Sequence, residues 1–136
     1  MGDQYKLTDF VRAGGPLRGP ALHRLALGSA AAMARMHARG VTGLRLGPDN
    51  VALGSRGQVL VGLQQGSSGR GGPADDVRDW AELVRFASGP GALPHPLRGV
   101  VELCRRPEPA ARPSAAHVVR VLLGHTMATV DDLLGK

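Results

Sequence analysis

The chain has 136 residues, of which 43% are hydrophobic and 21% charged, and its formal net charge is +6 at pH 7. The length fits one domain with a single core, and the composition excludes a disordered chain. Its basic residues are spread along the sequence, and no run of them alternates with aromatic residues that could stack on bases. These features argue against nucleic-acid binding, which stays open as an alternative.

The sequence also argues against a secreted or metal-binding protein. Cys104 is the single cysteine, so the chain has no internal disulfide, and its apolar neighbours indicate a buried position. There is no signal-peptide pattern at the start, and no apolar run reaches membrane-spanning length. The histidines lack the spacing of metal ligands. We therefore expect a soluble cytoplasmic protein with no metal, no cofactor and no membrane contact.

The first part of the chain predicts two helices. Apolar residues from Leu7 onward have i, i+3, i+4 spacing, which indicates a short helix ended by the glycines and proline at 14–16. A second helix is predicted over residues 20–39. It has proline in its first turn and Gly40 just beyond its end, the usual asymmetry of helix termini.

A β-hairpin is predicted next, from two apolar, β-branched runs at 51–53 and 59–63 around a turn rich in glycine. Helical spacing returns at residues 76–87. One face of that helix is apolar and consists of Val77, Trp80, Leu83, Val84 and Ala87.

The last third predicts shorter helices. One is expected over 96–105, and another begins after a Ser114 cap and ends at Gly124. Beyond it, an amphipathic tail at 126–136 carries Val130, Leu133 and Leu134 on one side. The domain proper is thus predicted to cover residues 1–125.

Several segments resemble, in the correct order, the C-terminal (lower) lobe of eukaryotic-type Ser/Thr protein kinases, most closely the bacterial ones. Residues 12–17 and 20–26 resemble the junction of the first two lower-lobe helices, and 37–41 resemble the helix end before the catalytic loop. Residues 73–81 resemble the start of the central buried helix, although Arg78 stands at its usual aromatic position. The resemblance implies a mainly α fold, that of a kinase C-terminal lobe with one short β-hairpin.

A further segment, at 104–114, resembles the family pattern Cys-x-x-x-Asp-Pro-x-x-Arg-Pro-Ser/Thr, which precedes the last helix of the lobe. Arg112 stands at the pattern's arginine, whose usual glutamate partner is missing here. We therefore expect Arg112 to pair with Asp75, Asp79 or Glu82, or to lie at the surface.

The catalytic loop of that family, His-Arg-Asp-Leu-Lys-Pro-x-Asn, reads Gly-Leu-Arg-Leu-Gly-Pro-Asp-Asn at residues 43–50. Arg45 stands at the position of the catalytic base, and a guanidinium cannot accept a proton at neutral pH. Gly47 replaces the lysine that approaches the γ-phosphate, and Gln64 replaces the aspartate that holds magnesium. Asn50 is retained, and we expect it to hydrogen-bond within its own loop.

Larger parts of the family's machinery are also missing. There is no room before Leu7 for a nucleotide-binding upper lobe, and the stretch from 66 to 73 is too short for an activation segment. Between residues 88 and 97 the chain lacks the family's extra substrate-side helix. The resemblance therefore implies a protein without kinase activity that does not bind ATP.

Asp76 matches the aspartate of the family's central helix, which accepts hydrogen bonds from backbone N–H groups of the catalytic loop. A buried carboxylate needs such partners. The alternative is an exposed aspartate at a helix N-terminus, stabilised by the helix dipole.

The function predicted from these features is that of a non-catalytic, pseudokinase-like lobe that acts as a regulatory or interaction module by binding another protein chain or a second copy of itself. Loss of the upper lobe is expected to leave apolar residues near solvent for this contact, namely Leu44, Leu46, Val61 and Leu63. The tail residues Val130, Leu133 and Leu134 form a second candidate contact. The alternatives are a divergent phosphotransferase subunit completed by another chain and a basic nucleic-acid-binding protein.

Overall fold

The computed structural model describes the chain in several stretches, of which residues 125–133 are described by their backbone alone. These stretches are 5–54, 58–61, 72–91, 93–94 and 97–133.

The fold is mainly helical, which confirms the predicted fold class. In chain order the elements are β1 (Tyr5–Lys6), α1 (Leu7–Gly14), α2 (Gly19–Ala38), β2 (Val51–Leu53), β3 (Val59–Val61), α3 (Pro73–Ser88), α4 (Leu97–Cys104), a short 3₁₀ helix (Pro109–Ala111) and α5 (Ala115–Leu133).

The predicted hairpin is part of a three-stranded antiparallel sheet with strand order β1-β2-β3. Strand β1 pairs with β2, with Tyr5 opposite Leu53, and β2 pairs with β3, with Val51 opposite Val61. The sequence did not predict β1 because two residues are too few to show an alternating pattern. Its addition brings the N-terminal segment onto the hairpin.

Helices α2 and α3 meet at a buried polar contact. The Trp80 indole Nε1 donates to Ser29 Oγ at 3.0 Å and to the Ala26 carbonyl at 3.1 Å. Ser29 Oγ in turn donates to the Leu25 carbonyl at 2.7 Å. Because each polar atom has a partner, the indole is buried without the cost of an unsatisfied N–H.

The apolar face predicted for α3 is the face that enters the core. Its five residues are all buried, and they are Val77, Trp80, Leu83, Val84 and Ala87. Helix α2 packs against α3, α5 and β3, so it is the central element of the fold.

Helix α5 differs from the prediction at its far end. Ser114 caps it as expected, since the His117 N–H donates to Ser114 Oγ at 3.1 Å. The helix continues through Gly124 to Leu133 instead of ending at Gly124. An interior glycine costs only about 1 kcal/mol relative to alanine, and no proline follows that would stop the helix. The predicted break at 125/126 therefore falls within one helix.

Cys104 is buried at the end of α4, as expected from its apolar neighbours. Burial raises the pKa of its thiol to about 12, because the thiolate would lose its hydration. The group therefore stays protonated at neutral pH and is a poor nucleophile.

Candidate functional site

The loop between α2 and β2, residues 39–50, is the candidate site, and we call it the site loop. Gly40, with a φ of 81°, turns the chain at the end of α2 in the left-handed conformation that glycine adopts without strain. The segment then runs past the first turn of α3 before it enters β2.

Asp76 fixes the site loop to α3. Its side chain is 1% exposed. Oδ2 accepts the Gly43 N–H at 3.1 Å, and Oδ1 accepts the Leu44 N–H at 2.9 Å. These are the contacts expected from the sequence, and the alternative of an exposed aspartate is wrong. The carboxylate also lies in the first turn of its helix, where the dipole stabilises a negative charge.

A histidine that the sequence analysis assigned to no site completes this cluster. His37 Nε2 lies 2.8 Å from Asp76 Oδ2, and the ring is largely buried in the last turn of α2. The sequence signal that could have identified it is its position in the last turn of α2, two residues before the site loop. Through these contacts Asp76 joins both the end of α2 and the site loop to α3.

Asn50 closes the other end of the site loop on itself. Its Oδ1 accepts the Gly47 N–H at 2.9 Å, and its Nδ2 donates to the Arg45 carbonyl at 2.7 Å. A longer bond from Nδ2 reaches the Leu44 carbonyl at 3.3 Å. The amide thus hydrogen-bonds within its own loop, as predicted from the sequence.

Arg45 has a backbone φ of 54°, which is uncommon for a residue with a Cβ and carries strain. The bond from Asn50 to the Arg45 carbonyl holds the backbone there. The side chain is exposed and makes no hydrogen bond or ion pair within the described ranges. A solvated cation therefore stands where the resemblance implies a catalytic base.

The prediction that Leu44 and Leu46 lie near solvent is wrong. They are 2% and 5% exposed and belong to the hydrophobic core. Both leucines are turned into the core, while Arg45 between them, with its left-handed backbone, is exposed to solvent. Val61 is partly buried against the same core.

The N-terminal segment also covers this region. The Thr8 N–H donates to the Pro48 carbonyl at 3.1 Å, and Thr8 Oγ1 donates to Asp49 Oδ1 at 2.8 Å. Together with the pairing of β1 and β2, these bonds join the start of the chain to the site loop and the hairpin.

The structure does not test the remaining predicted contact residues, nor Gln64 at the position that resembles the family's magnesium-holding aspartate. Leu63, Gln64 and Leu134 lie outside the described residues, and the side chains of Val130 and Leu133 are not described.

The Arg112 side chain is buried and is bound mainly by carbonyl groups, together with a long ion pair to Asp75, one of its three predicted partners. Its guanidinium donates to the carbonyls of Arg106 at 2.7 Å, Ala74 at 3.1 Å and Pro107 at 3.4 Å. The nearest carboxylate, that of Asp75, lies 3.9 Å away and is mostly in solvent. Arg112 therefore ties the first turn of α3 to the segment before α5.

The other two acids proposed as partners of Arg112 have different surroundings. Glu82 binds Arg105 at 2.7 Å. Asp79 makes no ion pair within the described segments. Burial raises the pKa of the Asp79 carboxyl above its usual value, and the nearby negative charges of Asp76 and Asp75 raise it further.

Among the residues that the structure describes, no three His, Cys, Asp or Glu side chains converge in a way that could hold a metal ion. In the same residues, no helix is both long enough and apolar enough to cross a membrane.

No protein-family model matches the chain, and no curated protein is similar to it. The resemblance to a kinase lower lobe therefore stays a prediction from the sequence segments.

Proposed function

We propose that this chain is a non-catalytic, pseudokinase-like lobe that works through contacts with another protein. The observation that carries the proposal is the state of the site loop. Asp76 and His37 hold it in place, while the position that resembles a catalytic base is a solvent-exposed arginine, Arg45. Phosphoryl transfer depends on correctly placed charges, and the charge at this position has the wrong sign.

The contacts of Asn50 support the same conclusion. The resemblance implies that this residue is what remains of a magnesium-binding pair. In the structure its amide oxygen accepts one hydrogen bond and its amide nitrogen donates two, all within the loop. The amide oxygen already accepts the Gly47 N–H, and a single neutral amide is a weak magnesium ligand. These contacts give Asn50 a structural role within its own loop.

A thermal-shift titration with ATP and MgCl₂ tests the absence of nucleotide binding. We expect no saturable rise in melting temperature, since a ligand stabilises a protein only when it binds the folded state. MgCl₂ alone is the control for ion effects. A saturable rise with ATP that is lost in the Asn50→Ala variant would contradict the proposal and favour a phosphotransferase subunit.

The interaction part of the proposal has its own measurement. Light scattering coupled to size-exclusion chromatography reports self-association, and affinity capture from the native cytoplasm reports other partners. We expect at least one of the two to detect a complex. A strict monomer that captures no protein would contradict an interaction role.

A further inference from the structure

A small cleft lies between the second half of α3 and helix α4, away from the site loop. Its volume is about 210 Å³, and the residues that line it are Arg85, Gly91, Leu93, Arg98, Val101 and Glu102. Binding sites for drug-sized molecules are larger, about 300 to 1,000 Å³. The volume suits one or two side chains of a peptide.

Two arginines with free hydrogen-bonding capacity line this cleft. Arg85 makes no side-chain hydrogen bond or ion pair with any residue that the structure describes. Arg98 Nε lies 3.8 Å from Glu102 Oε2, beyond hydrogen-bond distance, and the two side chains are 63% and 64% exposed. A pair of this kind contributes little, so the Arg98 guanidinium remains available to a ligand.

The floor of the cleft is apolar. Val101 is fully buried and Leu93 nearly so, and both belong to the hydrophobic core. A ligand here would therefore meet a positively charged rim above an apolar base. A guanidinium binds a carboxylate through two parallel hydrogen bonds, which are strongest where apolar groups exclude water.

We propose that this cleft binds an acidic segment of the partner protein, with a glutamate or aspartate carboxylate at Arg85 and Arg98 above the apolar base. This inference rests on the proposed function and names the chemistry of the partner. The net charge of +6 favours an acidic partner at long range. Glu102 on the rim disfavours a doubly charged phosphate more than a singly charged carboxylate.

Fluorescence anisotropy with the full chain tests the proposal. The probes are a short fluorescein-labelled peptide in which glutamate alternates with leucine and a matched peptide with glutamine in place of glutamate. We expect saturable binding of the glutamate peptide and much weaker binding of the glutamine peptide. The double variant Arg85→Gln/Arg98→Gln should lower affinity about tenfold or more, since it removes two charge-assisted contacts.

The matched control is Arg35→Gln/Arg39→Gln, which lowers the net charge by the same amount. Both residues are exposed at the end of α2, which meets the first turn of α3. Arg85 lies nine residues beyond Asp76, roughly 13 Å along α3. We expect this variant to bind the glutamate peptide within about twofold of the unmodified chain. Circular dichroism checks that both variants are folded.

Four results would overturn the proposal. They are no saturable binding of the glutamate peptide, equal binding of the two peptides, equal losses in the two double variants, and displacement of the peptide by inorganic phosphate at similar concentration. The third result would indicate general charge attraction, and the last a site for small anions. None of these four results bears on nucleotide binding. The outcome of the ATP titration, which tests the proposed function, is therefore independent of them.

Discussion

At the scale of single residues, Asp76 is the group on which the site loop depends. It accepts two backbone N–H groups of that loop and lies against His37, all in a region closed to water. In a buried position such bonds matter mainly because breaking them leaves donors without partners. Arg112 likewise joins the first turn of α3 to the segment before α5, through carbonyl groups.

The Asp76→Ala variant should lose about 3 to 5 kcal/mol of unfolding free energy, because two N–H groups and a histidine ring nitrogen would be left unpaired. Urea denaturation measures the loss. The exposed Glu108 has no side-chain partner among the described residues, so Glu108→Ala should change stability by less than about 0.5 kcal/mol. Equal effects of the two substitutions would refute the bracing role of Asp76.

The pKa of Asp79 gives a prediction with a definite sign. Burial is the main cause that raises its folded-state pKa, and the negative charges of Asp76 and Asp75 raise it further. The folded chain therefore holds the proton of the Asp79 carboxyl more tightly than the unfolded chain does. Stability is therefore lost as pH rises from the unfolded pKa through the raised folded pKa. The Asp79→Asn variant should melt at a higher temperature than the unmodified chain at pH 7.

That advantage should vanish at pH values well below 3.8, the ordinary pKa of an aspartate carboxyl, because Asp79 is then protonated in both the folded and the unfolded state. Melting temperatures across the acid range make the comparison, with Glu108→Gln as the exposed control. A variant that is less stable than the unmodified chain at neutral pH would show that Asp79 makes favourable contacts that outweigh its burial.

At the scale of elements, the close packing of α2 on the sheet depends on Gly28. A Cβ at this position would lie 2.7 Å from Val59 Cγ2 and 3.1 Å from Val59 Cβ. The helix can approach β3 only because this side chain is absent.

Gly28→Ala should therefore destabilise the fold by about 1 kcal/mol or more, because overpacking outweighs the better helix propensity of alanine. Gly99→Ala is the matched control, since Gly99 is exposed on α4 and an added Cβ meets nothing within 4 Å. It should stabilise the chain by up to about 1 kcal/mol. Urea denaturation gives both values, and a stabilising Gly28→Ala would contradict the described packing.

At the scale of the whole molecule, α2 connects the sheet, α3 and α5 in one core. Trp80 is the single tryptophan of the chain and lies within that core, against α2. Its fluorescence therefore reports the loss of tertiary packing, whereas far-ultraviolet circular dichroism reports the loss of all helices.

We expect the two signals to change with the same urea midpoint, because a single core of this size unfolds in one cooperative transition. Helical signal lost at lower urea than the Trp80 signal would indicate that the end of α5 unfolds separately. That result would favour the predicted division at residue 125 over one continuous helix.

Local, repeated patterns were sufficient to predict several elements of this fold. The apolar face of α3 and the ends of α1 and α2 follow from spacing, proline and glycine, and the structure confirms them. The hydrogen bonds of Asp76 and Asn50 were also expected, through a resemblance that covers the site loop. In each case the information lies within a few neighbouring residues or a recognisable segment.

Features that depend on distant partners became visible only in the folded chain. The pairing of β1 with β2, the His37 contact, and the burial of Leu44 and Leu46 all join segments far apart in the sequence. The carbonyl groups that bind Arg112 converge only when α3 and the segment before α5 are in place. Sequence patterns indicate which face of an element is apolar, but tertiary packing determines what covers that face, because burial is a property of packed surfaces.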